Sequence, residues 1–190
     1  MSTRSAAVRG WTYEEFARLP DDGNRYEVIA GDVYVTPAPG SIHQKVSARF
    51  FTELRVFATN QHRLGEVLYA PLDVILDEAA DYVQPDVVFL RRERGYLLTR
   101  RGIEGPPDLV VEILSPTTAL QDRGIKRLRY AHFGVPEYWI VDTERHRVEV
   151  YRLQDDADDP ILVTDRLRWQ PVEGGPVLEL NVAELLSDLV

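Results

Sequence analysis

Apolar and polar positions along the chain follow two rhythms, and each predicts a different element. Over residues 41–59, Ile42, Val46, Phe50, Leu54 and Phe57 recur at helical spacing and form one apolar stripe. Ser41, directly after Gly40, is the natural N-cap of that helix. Residues 67–76, 82–90 and 108–114 are instead Val/Ile/Leu-rich runs with apolar side chains on both faces, which predicts central strands covered on both sides. Residues 26–35 predict two short strands around the turn Ala30-Gly31-Asp32. Residues 137–141 and 147–153 predict a hairpin around Asp142-Thr143-Glu144-Arg145. Two further helices are expected. One covers residues 11–19, with Thr12 and Glu15 spaced as a capping box, and stops at Pro20-Asp21-Asp22-Gly23. The other covers residues 117–133, capped by Ser115 before Pro116 and ended by Gly134, with Pro136 beyond. The order αββαβββαββ predicts an α/β (α+β) domain built around one mixed sheet.

Length and composition narrow the picture. A chain of 190 residues with 44% hydrophobic and 28% charged residues predicts a single globular domain. Residues 1–10 are expected to be a flexible N-terminus, and the acidic stretch Asp155-Asp156-Ala157-Asp158-Asp159-Pro160 a solvated loop. That loop sets off residues 154–190 as a peripheral extension. No apolar run approaches the roughly 18 residues of a spanning helix, so no membrane partner is expected. Residues 1–10 lack the apolar core of a secretory signal, and a cytoplasmic location is expected. The chain has no cysteine, which excludes disulfides, thiolate nucleophiles and zinc–cysteine sites.

The net charge of −9 argues against a protein whose main task is to grip duplex DNA by neutralising phosphates. It is compatible with a metal-dependent nuclease, whose carboxylates hold the ion that restores positive charge locally. Of 22 basic residues only Lys45 and Lys126 are lysines; the rest are arginines.

Several residues are costly where the pattern puts them. Glu112 interrupts the apolar run Leu109-Val110-Val111-Glu112-Ile113-Leu114, and a carboxylate buried in a strand needs a partner, either an arginine or a metal ion. Asp86, in Gln84-Pro85-Asp86-Val87-Val88, poses the same question on the neighbouring run; the plainer reading is a turn residue after Pro85. Side chains alternate along strands, so adjacent strands bring both carboxylates into one pocket, where they repel unless a cation lies between them. Oxygen donors of this kind suit Mg²⁺ or Mn²⁺ rather than zinc. Glu27, at the start of the first hairpin, is a third candidate, as easily read as a solvated strand residue, and Asp73 in Pro71-Leu72-Asp73-Val74 a weaker fourth. Lys126, in the helix after the Glu112 strand, is placed to reach back over the strand end; taken alone, it reads better as an ordinary surface lysine. Tyr130 lies one turn on along the same face. His43, in the first turn of the long helix, sits where backbone N–H groups favour a phosphate, although a lone histidine is more often structural.

Taken in order, the blocks Tyr26-Glu27-Val28-Ile29-Ala30-Gly31, Gln84-Pro85-Asp86-Val87-Val88, Pro107 to Pro116, Asp122-Arg123-Gly124-Ile125-Lys126 and Gly134 to Asp142 resemble the Uma family of restriction endonucleases, within the PD-(D/E)XK nuclease superfamily. The resemblance spans roughly residues 12–153 and is carried by the ordered set rather than by any one block. It implies a restriction-endonuclease-like fold, a four-stranded mixed sheet with flanking helices. It also implies Asp86 and Glu112 as metal ligands. In the parent motif a lysine follows two residues after the glutamate; here that position is Leu114, and the resemblance places the lysine at Lys126 instead.

The sequence thus predicts a Mg²⁺- or Mn²⁺-dependent endonuclease hydrolysing DNA phosphodiester bonds. Asp86 and Glu112 hold the metal, Lys126 and Glu27 complete the reacting centre, and His43, Arg91, Arg92 and Arg123 contact the substrate backbone. A homodimer is expected, since cutting both strands of a duplex takes two centres. Two alternatives stand beside this reading. One is a nuclease fold retained as a non-catalytic binding or assembly module, which Leu114 and the negative charge favour. The other is a hydrolase of small phosphate esters.

Overall fold

The computed structural model describes residues 10–189. The flexible terminus expected for residues 1–10 lies almost wholly outside them. The N-terminal helix α1 (Tyr13–Phe16) carries the expected capping box between Thr12 and Glu15. The first hairpin is β1 (Arg25–Ile29) and β2 (Asp32–Thr36), and α2 (Ser41–Arg55) follows, prolonged by a π-helical turn over Val56–Gln61. Ser41 is the first helical residue and Gly40 the N-cap. Val46, Phe50, Leu54 and Phe57 are buried as the stripe predicts, whereas Ile42, in the first turn, is exposed.

The two long strands expected over 67–76 and 82–90 are each split by a proline, which lacks the ladder N–H donor. The first becomes β3 (Gly65–Tyr69) and β4 (Val74–Asp77), separated at Ala70-Pro71; the second becomes β5 (Asp81–Val83) and β6 (Val87–Arg91), separated at Gln84-Pro85-Asp86. Next come β7 (Ile103–Glu104), β8 (Leu109–Ile113), and the helical run α3 (Ala119–Gln121), a π turn (Asp122–Lys126) and α4 (Arg127–His132). Thr118, not Ser115, is the N-cap of that run; Ser115 closes the preceding turn through Thr117 and Thr118. The hairpin β9 (Glu137–Asp142) and β10 (Arg147–Arg152) matches expectation, followed by β11 (Asp156–Val163), β12 (Arg166–Trp169), β13 (Leu178–Asn181) and α5 (Val182–Leu185).

The fold is mixed α+β, as expected, but the strands form three sheets rather than one. The main sheet has six strands in the order β11-β10-β9-β8-β6-β3. Its β8–β9 pair is parallel and the rest antiparallel. A five-stranded sheet, β2-β1-β5-β4-β7, stands beside it, and β12–β13 form a small ribbon. The halves of each split strand thus belong to different sheets, and the two prolines mark where the chain passes from one to the other.

Strand alternation sorts the main sheet into two faces. Val87, Phe89, Leu109, Val111 and Trp139 point to one side, against α2 and the C-terminal segment. Val88, Val110, Tyr138 and Ile140 point to the other, against Tyr130 of α4 and the second sheet. The acidic stretch expected as a solvated loop opens β11, which pairs with β10. The segment expected to be peripheral supplies Leu167, Trp169, Leu180, Val182 and Leu186 to the first face's core. There Trp169 meets Phe89 edge-on at 5.1 Å and Trp139 at 5.9 Å. No helix among the described residues is long and apolar enough to cross a membrane.

Candidate active site

The register of β6 against β8 builds the site. Val87 pairs with Val111 in antiparallel sense, so Asp86, one residue before, and Glu112, one after, come opposite each other. Directly opposed residues on neighbouring strands hold their Cβ atoms about 5 Å apart. Both side chains take the face turned toward the second sheet, where β1 presents Glu27. The helical run after β8 crosses over them and lowers Asp122 and Lys126, one turn apart, into the same space. These two lie on the π turn, a helical irregularity that recurs at functional sites.

Lys126 stands at the centre. Its Nζ donates to Glu112 Oε1 at 2.8 Å and lies 2.9 Å from Glu27 Oε1 and 3.8 Å from Asp122 Oδ1, and all four side chains are 3% exposed. Tyr130 donates its hydroxyl to the same Glu112 oxygen at 3.1 Å, and Glu27 accepts the Gln84 backbone N–H at 2.8 Å. Asp86 is held by three donors: Arg25 Nη1 at 2.9 Å on Oδ1, and His43 Nε2 at 2.9 Å and the Ile113 amide at 2.8 Å on Oδ2. His43 Nδ1 is buried and has no hydrogen-bond partner among the described residues. Together these groups line a cavity of about 250 Å³, closed on one side by the Pro37-Ala38-Pro39-Gly40 segment before α2.

The electrostatics follow from burial. Removal from water pushes the Glu112 carboxyl up to about 8 against the pull of Lys126, with Asp86, Asp122 and Glu27 adding to the rise. Burial likewise lifts Asp122 to about 6, again opposed by Lys126. Burial also pushes Asp86 up, but the His43 hydrogen bond, the Arg25 charge and the Ile113 amide outweigh it and hold the carboxyl below its usual range. Lys126 loses hydration too, yet the surrounding carboxylates outweigh that loss and keep it protonated well above its ordinary range.

The structure thus brings Asp86, Glu112, Lys126, Glu27 and His43 into one cavity. It does not bring Arg91, Arg92 or Arg123 there. Arg91 ends β6 and Arg92 follows it, at the far end of the strand from Asp86, and Arg91 binds Asp108 at 2.8 Å. Arg123 is adjacent to Asp122, but successive helical residues point about 100° apart. Its guanidinium binds Glu149 and Asp142, each at 2.8 Å. Asp73 is also outside the cavity, accepting from the Tyr13 hydroxyl and the Gln84 amide. Arg123→Ala should therefore act on stability. Leaving Glu149 and Asp142 with one partner fewer should cost about 1–3 kcal/mol in a urea melt. Cleavage or DNA binding lost at unchanged stability would contradict this placement.

Two site residues escaped the sequence reading. Arg25 lies two residues before Glu27 on β1 and so shares its face. Asp122 lies four before Lys126 and so shares its helical face. Both spacings are present in the sequence.

Among the described residues, no group of three or more His, Asp or Glu side chains is set to hold a metal ion. The oxygens are turned instead to Arg25, His43 and Lys126. The donor set nevertheless fits a hard dication. Glu27, Asp86, Glu112 and Asp122 share the cavity with one lysine, one arginine and a histidine. These are oxygen donors, the kind that would hold Mg²⁺ or Mn²⁺.

Residues 13–183 match the Uma2 family, described as "Putative restriction endonuclease". The chain belongs to this family. The Uma2 match takes in every residue of the cavity. A curated relative, the "Uncharacterized protein slr1290" of Synechocystis sp., is 29% identical over 155 residues, covering 78% of each chain. A solved structure from Anabaena variabilis, described as a "putative nuclease", superposes with a TM-score of 0.76 at 20% identity and covers 95% of this chain and 99% of its own. At that identity the likeness speaks for the fold alone.

Proposed function

We propose that this Uma2 protein is a metal-dependent endonuclease that hydrolyses DNA phosphodiester bonds at the cavity between β6, β8, β1 and the π turn. The observation that carries the reading is the set of three buried carboxylates gathered around one protonated lysine, with Asp86 in the same cavity. Asp86 and Glu112 would hold Mg²⁺ or Mn²⁺, with Asp122 and Glu27 at hand. The metal, when bound, activates a water and polarises the phosphate.

The remaining roles belong to the chain's own residues. Lys126, held protonated, is a fixed positive charge rather than a base. Its Nζ offsets charge developing on the phosphate oxygens without reorganisation. Arg25 and His43, both on Asp86, are the groups that a ligand entering this end meets first. Exclusion of water by the Pro37-Ala38-Pro39 segment strengthens each of these interactions.

One observation favours the second reading, a fold kept as a binding module: both oxygens of Asp86 are already engaged, one by Arg25 and the other by His43 and the Ile113 amide. Incubation of supercoiled plasmid and single-stranded DNA with Mg²⁺, with Mn²⁺ and with a chelator separates the two. Cleavage confined to the metal lanes is expected. An inert protein in every lane would favour the binding module. Turnover of bis(p-nitrophenyl) phosphate with no cleavage of either DNA would favour the small-ester hydrolase.

A further inference from the structure

The acidic cavity does not end at Asp86. A second groove of about 540 Å³ continues from it, and the two share Arg25, Ala38, Pro39, His43 and Asp86 as common walls. One face of α2 lines this groove. His43, Ser47 and Phe51 lie four residues apart on successive turns, so Phe51 is about 12 Å along the helix from the residue that touches Asp86. At that distance Phe51 packs on Tyr69 of β3, with ring centroids 4.5 Å apart and planes tilted by 56°. Tyr69 is 57% exposed. A tyrosine that ends a strand on the wall of a groove, packed on one side and open on the other, has the geometry of a stacking platform. Gln44 and Ser47 line the same groove, and their side chains make no hydrogen bond to other described residues.

The charge of the groove points to what it takes. Among the described residues, Arg25 is the only arginine that lines it and no lysine does; Arg55 lies outside the lining, 5.8 Å over the Phe51 ring. The arginine-rich stretch that begins at Arg91 lies at the other end of β6, and the chain carries a net charge of −9. A duplex is gripped largely through its phosphates, by lysines and arginines that release counterions. This groove has almost none of them. It offers aromatic and amide groups, which serve bases, and bases are available to such groups only when unpaired.

We propose that this groove is a base-binding subsite, in which Tyr69 and Phe51 stack an unpaired nucleobase one or two nucleotides from the phosphate held at Asp86. The inference rests on the nuclease reading for the identity of the phosphate site, and it narrows the substrate to single-stranded or locally unpaired DNA. Tyr69 is a binding residue here, and Ser47 and Gln44 face the edge of the base.

The test is binding in the presence of a chelator, so that nothing is cut. A 12-nucleotide strand carrying 2-aminopurine, whose fluorescence is quenched on stacking, is titrated with the protein alone and after annealing to its complement. The single strand should be quenched and should bind at least about tenfold more tightly than the duplex. Tyr69→Ala should weaken single-strand binding about tenfold and abolish the quench, in line with about 1–3 kcal/mol per stacked base. Tyr69→Phe, which keeps the ring, should stay within about twofold of the wild type. Duplex binding as tight as single-strand binding, or a Tyr69→Ala protein indistinguishable from the wild type, would overturn the proposal. Failure of the nuclease reading looks different: stacking persists in the chelator, but no strand is cut when metal is restored.

Discussion

Lys126→Ala should destabilise the protein by about 3–5 kcal/mol, the usual cost of removing one partner from a buried charge cluster. The reason is geometric. Lys126 is the shared cation of Glu27, Glu112 and Asp122, and all three carboxylates are buried. Without it they face one another with no counter-charge and must take up protons or unfold. The pH dependence has a definite sign. Burial already raises Glu112 to about 8 and Asp122 to about 6, and loss of Lys126 raises both further. A carboxyl whose folded pKa exceeds its unfolded value binds its proton more tightly in the folded state. Its stabilisation is complete below the unfolded value and is lost as pH rises through the folded one. The variant should therefore lie nearest to wild type at about pH 5 and fall furthest below it at about pH 8. Urea melts at both values read this directly. A deficit under about 1 kcal/mol, or one larger at acid pH, would contradict the placement of Lys126 at the centre of the cluster.

The second large effect concerns metal binding. A ligand that binds only the folded state at 100 times its Kd adds about 2.7 kcal/mol of stability. For a protein of this size that corresponds to a rise in Tm of about 5–10 °C. Saturating Mn²⁺ should produce such a rise in the wild type. Asp86→Asn should lose it, because the amide keeps the side chain's shape and an acceptor for the Ile113 amide but not the charge that a dication requires. The variant should also stay folded in the absence of metal, which separates lost metal binding from lost structure. An unshifted wild type, or an Asp86→Asn protein that shifts equally, would exclude Asp86 as a ligand.

The centre of the site was legible because a carboxylate within an apolar strand is conspicuous. Glu112 and Asp86 stood out on the cost of burial alone, and alternation was enough to put them on one face. Lys126 was visible as one of two lysines among arginines. The peripheral contacts were not legible in the same way. Arg91, Arg92 and Arg123 are cations near the blocks that carry the site, and a basic side chain has many possible carboxylate partners. Only the tertiary structure shows that Asp108, Glu149 and Asp142 claim two of them. The prolines at 71 and 85 carried the signal that two strands would divide between sheets, but an apolar run on either side of each masked it. The core role of Trp169 and Leu180 was hidden for a different reason. Their packing partners, Trp139 and Phe89, lie far back in the chain.

The most direct test of the account compares the wild type with Glu112→Gln on one fluorescently labelled DNA, at saturating Mn²⁺, with both proteins verified as folded. Glutamine keeps the volume of the side chain and an acceptor for Lys126 and Tyr130, and removes only the negative charge. The account predicts metal-dependent cleavage by the wild type and a loss on the order of 10³-fold in the variant, about 4 kcal/mol of transition-state stabilisation. Cleavage by Glu112→Gln at the wild-type rate would contradict it, because the reaction would then be taking place somewhere other than this cavity.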